Sequence, residues 1–225
     1  MSKNFLTPII LPAGTSSNAP LKLQSGTSLT TAAAGAVEYD GKVIYSTPAA
    51  RGVSPSMMFY RLNSSLAGSN VNTAQSVFGV GVTLSASTIY AIEAFFILQK
   101  TTGFTSHTIS IGFGGTATIN NIAYGMRWNR TDSASTASTM GQFAAQHSFS
   151  TLAAALTLTS SITSAAETFV ANISGTVSVN ASGTFVPQYT LSAAPGGAYS
   201  TLAGSCMSVW PIGTAGANTS VGAWA

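Results

Sequence analysis

The chain has 225 residues, 45% of them hydrophobic and only 6% charged, with a formal net charge of +3. A free soluble domain is about a quarter charged, so this surface suits burial against neighbours, and three Trp, seven Tyr and eleven Phe exclude a disordered chain. The eight Lys and Arg are scattered from Lys3 to Arg130 and form no basic face for nucleic acid, while the single cysteine, Cys206, excludes a disulfide framework and a multi-cysteine metal site.

Residues 1–36 hold Pro8, Pro12, Pro20 and three glycines around short apolar pieces containing Phe5, Ile9, Leu11, Leu21 and Leu23. These pieces are too small to build a core, and the expectation is an extended docking arm able to reach across a neighbouring subunit. Thr7 and Pro8 interrupt the apolar stretch near the start, so no secretion signal is expected. Residues 37–56 follow as a hairpin and linker. Asp40-Gly41 stands between the β-favouring residues Glu38-Tyr39 and Val43-Ile44-Tyr45, which predicts a type I′ turn. Residues 48–55, with two prolines around Arg51-Gly52, read as the linker.

From residue 57 to 225 the period is two. Segments 57–63, 77–84, 88–99, 107–119 and 122–128 alternate or run apolar over strand lengths, with Gly, Ser, Thr and Asn between them. Segments 152–159, 167–173, 175–180, 184–191 and 206–210 continue the series, and only 152–158 is also compatible with a helix. The most apolar run, Ile89 to Leu98, contains Glu93 and is half the length of a membrane span, so no membrane insertion is expected. The expected fold is all-β: an extended N-terminal arm and β-hairpin, then an antiparallel, jelly-roll-like β-sandwich. The polar run 131–139 reads as an exposed loop, and the last residues, which include Trp224, as a final strand tucked into a core or interface.

The segment GTSLTTAAAGAVEYDGKVIY at residues 26–45 resembles a segment of virion structural and tail-fibre-associated proteins of tailed bacteriophages, in which AGA-x-EYDG follows an L-T-T run. Tyr90-Ala-Ile-Glu93-Ala-Phe-Phe and Gly112-Phe-Gly-Gly115-Thr-Ala-Thr118 are similar to pieces that accompany it, and together these cover about a third of the chain. The resemblance implies a virion component, made in the host cytoplasm, with no active site and no cofactor to carry over. It also implies partners among other phage structural proteins and further copies of the chain, with a homotrimer the expected state.

The chemistry-bearing residues give little to set against that reading. Glu38, Tyr39, Asp40 and Gly41 are assigned to the hairpin and, with the apolar arm residues, to docking. Glu93, between Ile92 and Phe95, is expected to point inward and to need an ion partner, for which Arg61 and Arg127 are the candidates. His107 and His147 lie in no nucleophile motif, and paired carboxylates at a glycosidase spacing are not legible. No metal cluster is expected from two distant histidines and one cysteine. Three functions are therefore carried forward: a tail- or fibre-associated structural protein that contributes to host attachment, a capsid decoration (cement) protein, and a carbohydrate-binding module. The last would use Tyr60, Trp128, Tyr189, Trp210 or Trp224 as candidate glycan contacts, a host surface glycan being the partner. Thr-x-Thr pairs at 116/118 and 157/159 are too few for an ice-binding ladder.

Overall fold

The computed structural model describes residues 11–54, 56–132, 146–161, 163–216, 218 and 221. Phe5, Ile9, Trp224 and most of the 131–139 run therefore lie outside the described residues. Within them the chain is all-β, with antiparallel sheets and no helix. It divides into two compact units, residues 1–54 with 221–225 and residues 55–220.

The smaller unit holds a three-stranded sheet of β1 (Val37–Tyr39), β2 (Ile44–Ser46) and β3 (Gly52–Ser54). Residues 48–55, read as a linker, thus contribute a strand, β3, which pairs with β2 through Tyr45 and Val53. The hairpin forms, with Tyr39 opposite Ile44, but its turn is shifted by one residue from the expected type I′. The Asp40 amide donates to the Val43 carbonyl at 3.3 Å, so Gly41 and Lys42 are the central residues. Only Gly41 has positive φ, at 92°, the pattern of a II′ turn, in which glycine takes the first central place. The shift has a cause: the Asp40 carboxylate accepts from the Lys42 and Val43 amides at 2.8 and 2.7 Å, which fixes Asp40 as the residue before the turn.

In the larger unit an eight-stranded sheet is built around three long strands. These are β8 (Thr88–Lys100), β10 (Thr118–Asp132) and β13 (Glu167–Ala181), with β13 in the middle. β11 (Gln146–Ser150) extends it beyond β10. The other edge of β8 is shared by β15 (Ser200–Thr201) and β16 (Cys206–Thr214), which pair in turn with β5 (Leu66–Ala67) and β4 (Met58–Arg61). A five-stranded sheet joins β12 (Leu156–Thr157), β9 (Ile109–Gly114), β14 (Gly183–Leu191), β6 (Gln75–Ser76) and β7 (Val82–Leu84).

β8 alternates in burial throughout, although its sequence from Ile89 to Leu98 is apolar at every position but Glu93. Tyr90, Ile92, Ala94, Phe96 and Leu98 are buried and the residues between them are not, as a strand with one core face requires. Ile109, Ile111, Phe185, Tyr189 and Leu191 of the five-stranded sheet join them in one cluster with Ile122, Tyr124, Met126, Phe169 and Val177 of the larger sheet. Phe113 stacks on Phe185 at 4.6 Å and meets Tyr124 edge-on at 5.0 Å, linking the two sheets.

Several segment boundaries differ from those expected: of 77–84 only β7 at its end is strand, and of 152–159 only β12. Residues 107–119 are not one strand: Gly115, at φ 113°, turns the chain, and β10 begins at Thr118. It then runs through Asn120 and Asn121 with a bulge where a turn was expected. Likewise 167–173 and 175–180 are one strand, β13. Gly175 is no break, because a Cβ there would lie 2.3 Å from the Ala123 carbonyl oxygen and 2.6 Å from the Tyr124 Cβ. The glycine lets β10 and β13 approach.

Candidate functional site

The residues assigned to docking in the hairpin are engaged within the smaller unit. Arg51 Nε donates to Glu38 Oε2 at 2.9 Å, Glu38 Oε1 accepts from the Leu29 amide at 2.6 Å, and Arg51 Nη2 donates to the Leu29 carbonyl at 2.6 Å. The pair thus clamps the chain at Leu29 to β1. The Leu29 amide first, then Arg51, hold the Glu38 carboxyl below its ordinary range. Burial opposes ionisation of Asp40, but hydrogen bonds from Val43, Lys42 and the Tyr45 hydroxyl outweigh it and lower this carboxyl as well. Burial and then Asp40 push the Tyr45 phenol up to about 12. Tyr39, half-buried in β1, accepts at its carbonyl from the Gly26 amide at 2.9 Å. Leu11 and Leu21 remain exposed and Leu23 is half-buried, on a stretch without strand or helix.

In the larger unit the expected inward ion pair of Glu93 is not formed. Glu93 sits at the one exposed position of β8, on the face opposite the core, and it pairs with neither Arg61 nor Arg127. Alternation decides this: Ile92 and Ala94 take the core face, so Glu93 must take the other. Arg61 Nη1 donates instead to Asn63 Oδ1 at 2.6 Å.

The buried charge lies elsewhere, at Glu167. Its carboxylate is fully buried, 3.5 Å from His107 Nε2 and 3.6 Å from Arg130 Nε. His107 Nε2 meets the Tyr199 hydroxyl at 2.7 Å while Nδ1 meets the Thr105 carbonyl at 2.8 Å. Nδ1, which faces a carbonyl, is the donor there. Lys100, paired across the strands with Glu167, donates to the carbonyls of Gly103 and Ser164. Burial lowers the Lys100 ammonium pKa, with Glu167 opposing, and burial followed by Glu167 pushes the Tyr199 phenol far up. With carbonyls and aromatic rings packed around it, this cluster ties strand ends together.

What the strand register assembles on the outer face is a groove. One row across it reads His147, Arg127, Asn172, Phe95, Cys206 and Arg61, on β11, β10, β13, β8, β16 and β4. The next row reads Phe149, Gly125, Ser174, Glu93, Ser208 and Phe59 on the same strands. A depression of about 520 Å3 runs between the rows, bordered by Glu93, Arg127, His147 and Asn172. A second, of about 340 Å3, adjoins it through Gly125 and Ser174 and is flanked by Phe149, which is 82% exposed. Among the described charged side chains of this unit, Arg61, Lys100, Arg130 and Glu167 are engaged within the chain. Glu93 and Arg127 have no partner, and both border the groove.

The aromatic residues singled out as glycan contacts do not gather there. Tyr189 is buried at 1% exposure and belongs to the core, which removes it as a platform. Trp128 stacks on Phe169 at 5.7 Å and donates from Nε1 to Ser148 Oγ, so its ring serves packing. Trp210 is half-buried on β16, and Tyr60 is exposed on β4 beside an apolar hollow of about 190 Å3 with Phe59 and Val80. Phe149, Asn172 and Ser174 carried no signal in the sequence, because their neighbourhood comes from pairing strands far apart in the chain.

No family model matches the chain, and neither the curated proteins compared with it nor the solved structures give a match.

Proposed function

We propose that this chain is a non-enzymatic structural component of a bacteriophage particle that joins its neighbours through its N-terminal arm. The observation that carries this reading is the arm. Leu11, Leu21 and Leu29 are exposed on a stretch without regular structure, in a chain almost devoid of charge. Apolar side chains held out in this way gain about 25 cal/mol for each Å2 that a neighbour covers, and an extended segment can lie along another copy. The likeness of residues 26–45 to tail-fibre-associated proteins supports a place on the tail or fibre, ahead of the capsid surface, and a homotrimer. The single core shared by the two sheets supports a jelly-roll-like sandwich as the body of the larger unit.

The test is incorporation. A chain lacking residues 1–23, cut short of the Gly26 and Leu29 anchors, competes with the full chain during particle assembly. The account expects the shortened chain to fold and to be left out of particles. Incorporation at the full-length level contradicts it.

A further inference from the structure

The groove on the outer face of the eight-stranded sheet concentrates recognition chemistry that the fold does not use. Glu93 offers acceptors only, Arg127 donors only, and Asn172 both, while Ser174 and Ser208 stand in the same rows. None of these five side chains is hydrogen-bonded or ion-paired among the described residues. Cross-strand neighbours hold such groups at spacings of about 5 Å, so donors and acceptors stand side by side across the groove. Glu93 and Arg127 offset one another in charge within the groove, while Arg61, bonded to the neutral Asn63, ends the row at its far edge. Beside them a Cβ on Gly125 would meet nothing within 4 Å, leaving open floor next to the exposed ring of its cross-strand partner, Phe149. An exposed aromatic ring beside an open floor, next to neighbouring donors and acceptors, matches a ring that has one apolar face and a rim of hydroxyls.

We propose that this groove is a saccharide-binding site, with Glu93, Arg127 and Asn172 engaging ring hydroxyls and Phe149 packing on a sugar face. The adjoining depression allows more than one sugar unit. The inference rests on the reading of the chain as a tail- or fibre-associated particle component and names what that component would hold. Its failure is distinguishable from failure of the assembly account, which is read from incorporation of the arm-deleted chain.

The test applies the full chain to an array of neutral hexose oligosaccharides and uronic-acid oligosaccharides, with titration calorimetry on the strongest hit. Glu93→Gln and Asn172→Ala change exposed positions outside the core, so the fold, checked by circular dichroism, should be unchanged. Each should weaken binding by about tenfold or more. Phe149→Ala should weaken it too, whereas Phe104→Ala, exposed away from the groove, should not. Folded wild-type protein that binds no saccharide on the array overturns the proposal, as does binding that survives both polar substitutions. A dimer in sedimentation velocity that Glu93→Arg dissociates, without saccharide binding, assigns the face to a second copy and also overturns it.

Discussion

The Glu167 carboxylate lies 3.5 Å from His107 Nε2 with both side chains fully buried, and it is the acid around which the ends of β8 and β13 are joined. Lys100, itself 1% exposed, stands opposite it across the strands, where burial lowers the ammonium pKa and the Glu167 counter-charge opposes that shift. Removing one member of such a set leaves the other buried and uncompensated.

Glu167→Gln is therefore expected to destabilise the larger unit by about 3–5 kcal/mol, read as a lower midpoint in chemical denaturation with an unchanged slope. Loss of the carboxylate should also lower the Lys100 pKa further, because Glu167 is what opposes desolvation there. Equal midpoints for the two proteins would show that the cluster contributes nothing.

Two glycines on the same sheet make opposite predictions. Gly175→Ala places a Cβ 2.3 Å from the Ala123 carbonyl oxygen, and its relief requires β10 and β13 to part. A loss of about 1–3 kcal/mol is expected, as for overpacking of a core. Gly125→Ala meets no atom within 4 Å and should be neutral or stabilise by up to about 1 kcal/mol. Thermal melts of the pair check both signs.

These glycines also show where the sequence was legible and where it was not. Alternation of Ile122, Tyr124 and Met126 with Ala123, Gly125 and Arg127 predicts the core face of β10 correctly, because one sheet face must be dry, whereas the nearly continuous apolar run of β8 carries no such signal. A glycine inside a strand reads the same whether it breaks the strand or lets a neighbour approach, so β13 appeared as two pieces. β5, β6 and β15 span two residues each and leave no periodic trace at all. The same limit applies to Glu93: its neighbours Ile92 and Phe95 suggest burial, but parity along the strand puts it outside with Phe95. The groove depends on register among six strands, information that no local pattern carries.

Acidification should act on the smaller unit through Glu38 and Asp40. Glu38 and Asp40 have carboxyl pKa values lowered by the fold, so their stabilisation is full above the ordinary values of 4.5 and 3.8. It is lost as pH falls through the lowered folded values. The amide chemical shift of Leu29, which donates to Glu38, and those of Lys42 and Val43, which donate to Asp40, should each titrate below the ordinary value of that carboxyl. Titration at the ordinary values would mean that the clamp and the turn bonds are not formed in solution.

Arg51→Ala tests the clamp from its other side. Glu38 keeps the Leu29 amide but loses its bidentate partner, and the Leu29 carbonyl loses the Arg51 donor. Faster hydrogen exchange at Leu29 and Gly26 is expected, with β8 and β13 amides unchanged. Unchanged exchange at Leu29 would remove the clamp from the account.

The central claim, that the chain is a particle component joined through its arm, is tested most directly by a cryo-EM map of the assembled particle. The account predicts density for the chain on the tail or fibre in three-fold copies, with residues 11–23 of one copy lying against a neighbouring subunit. A particle without the chain, or one in which it sits with its arm touching no neighbour, contradicts that claim.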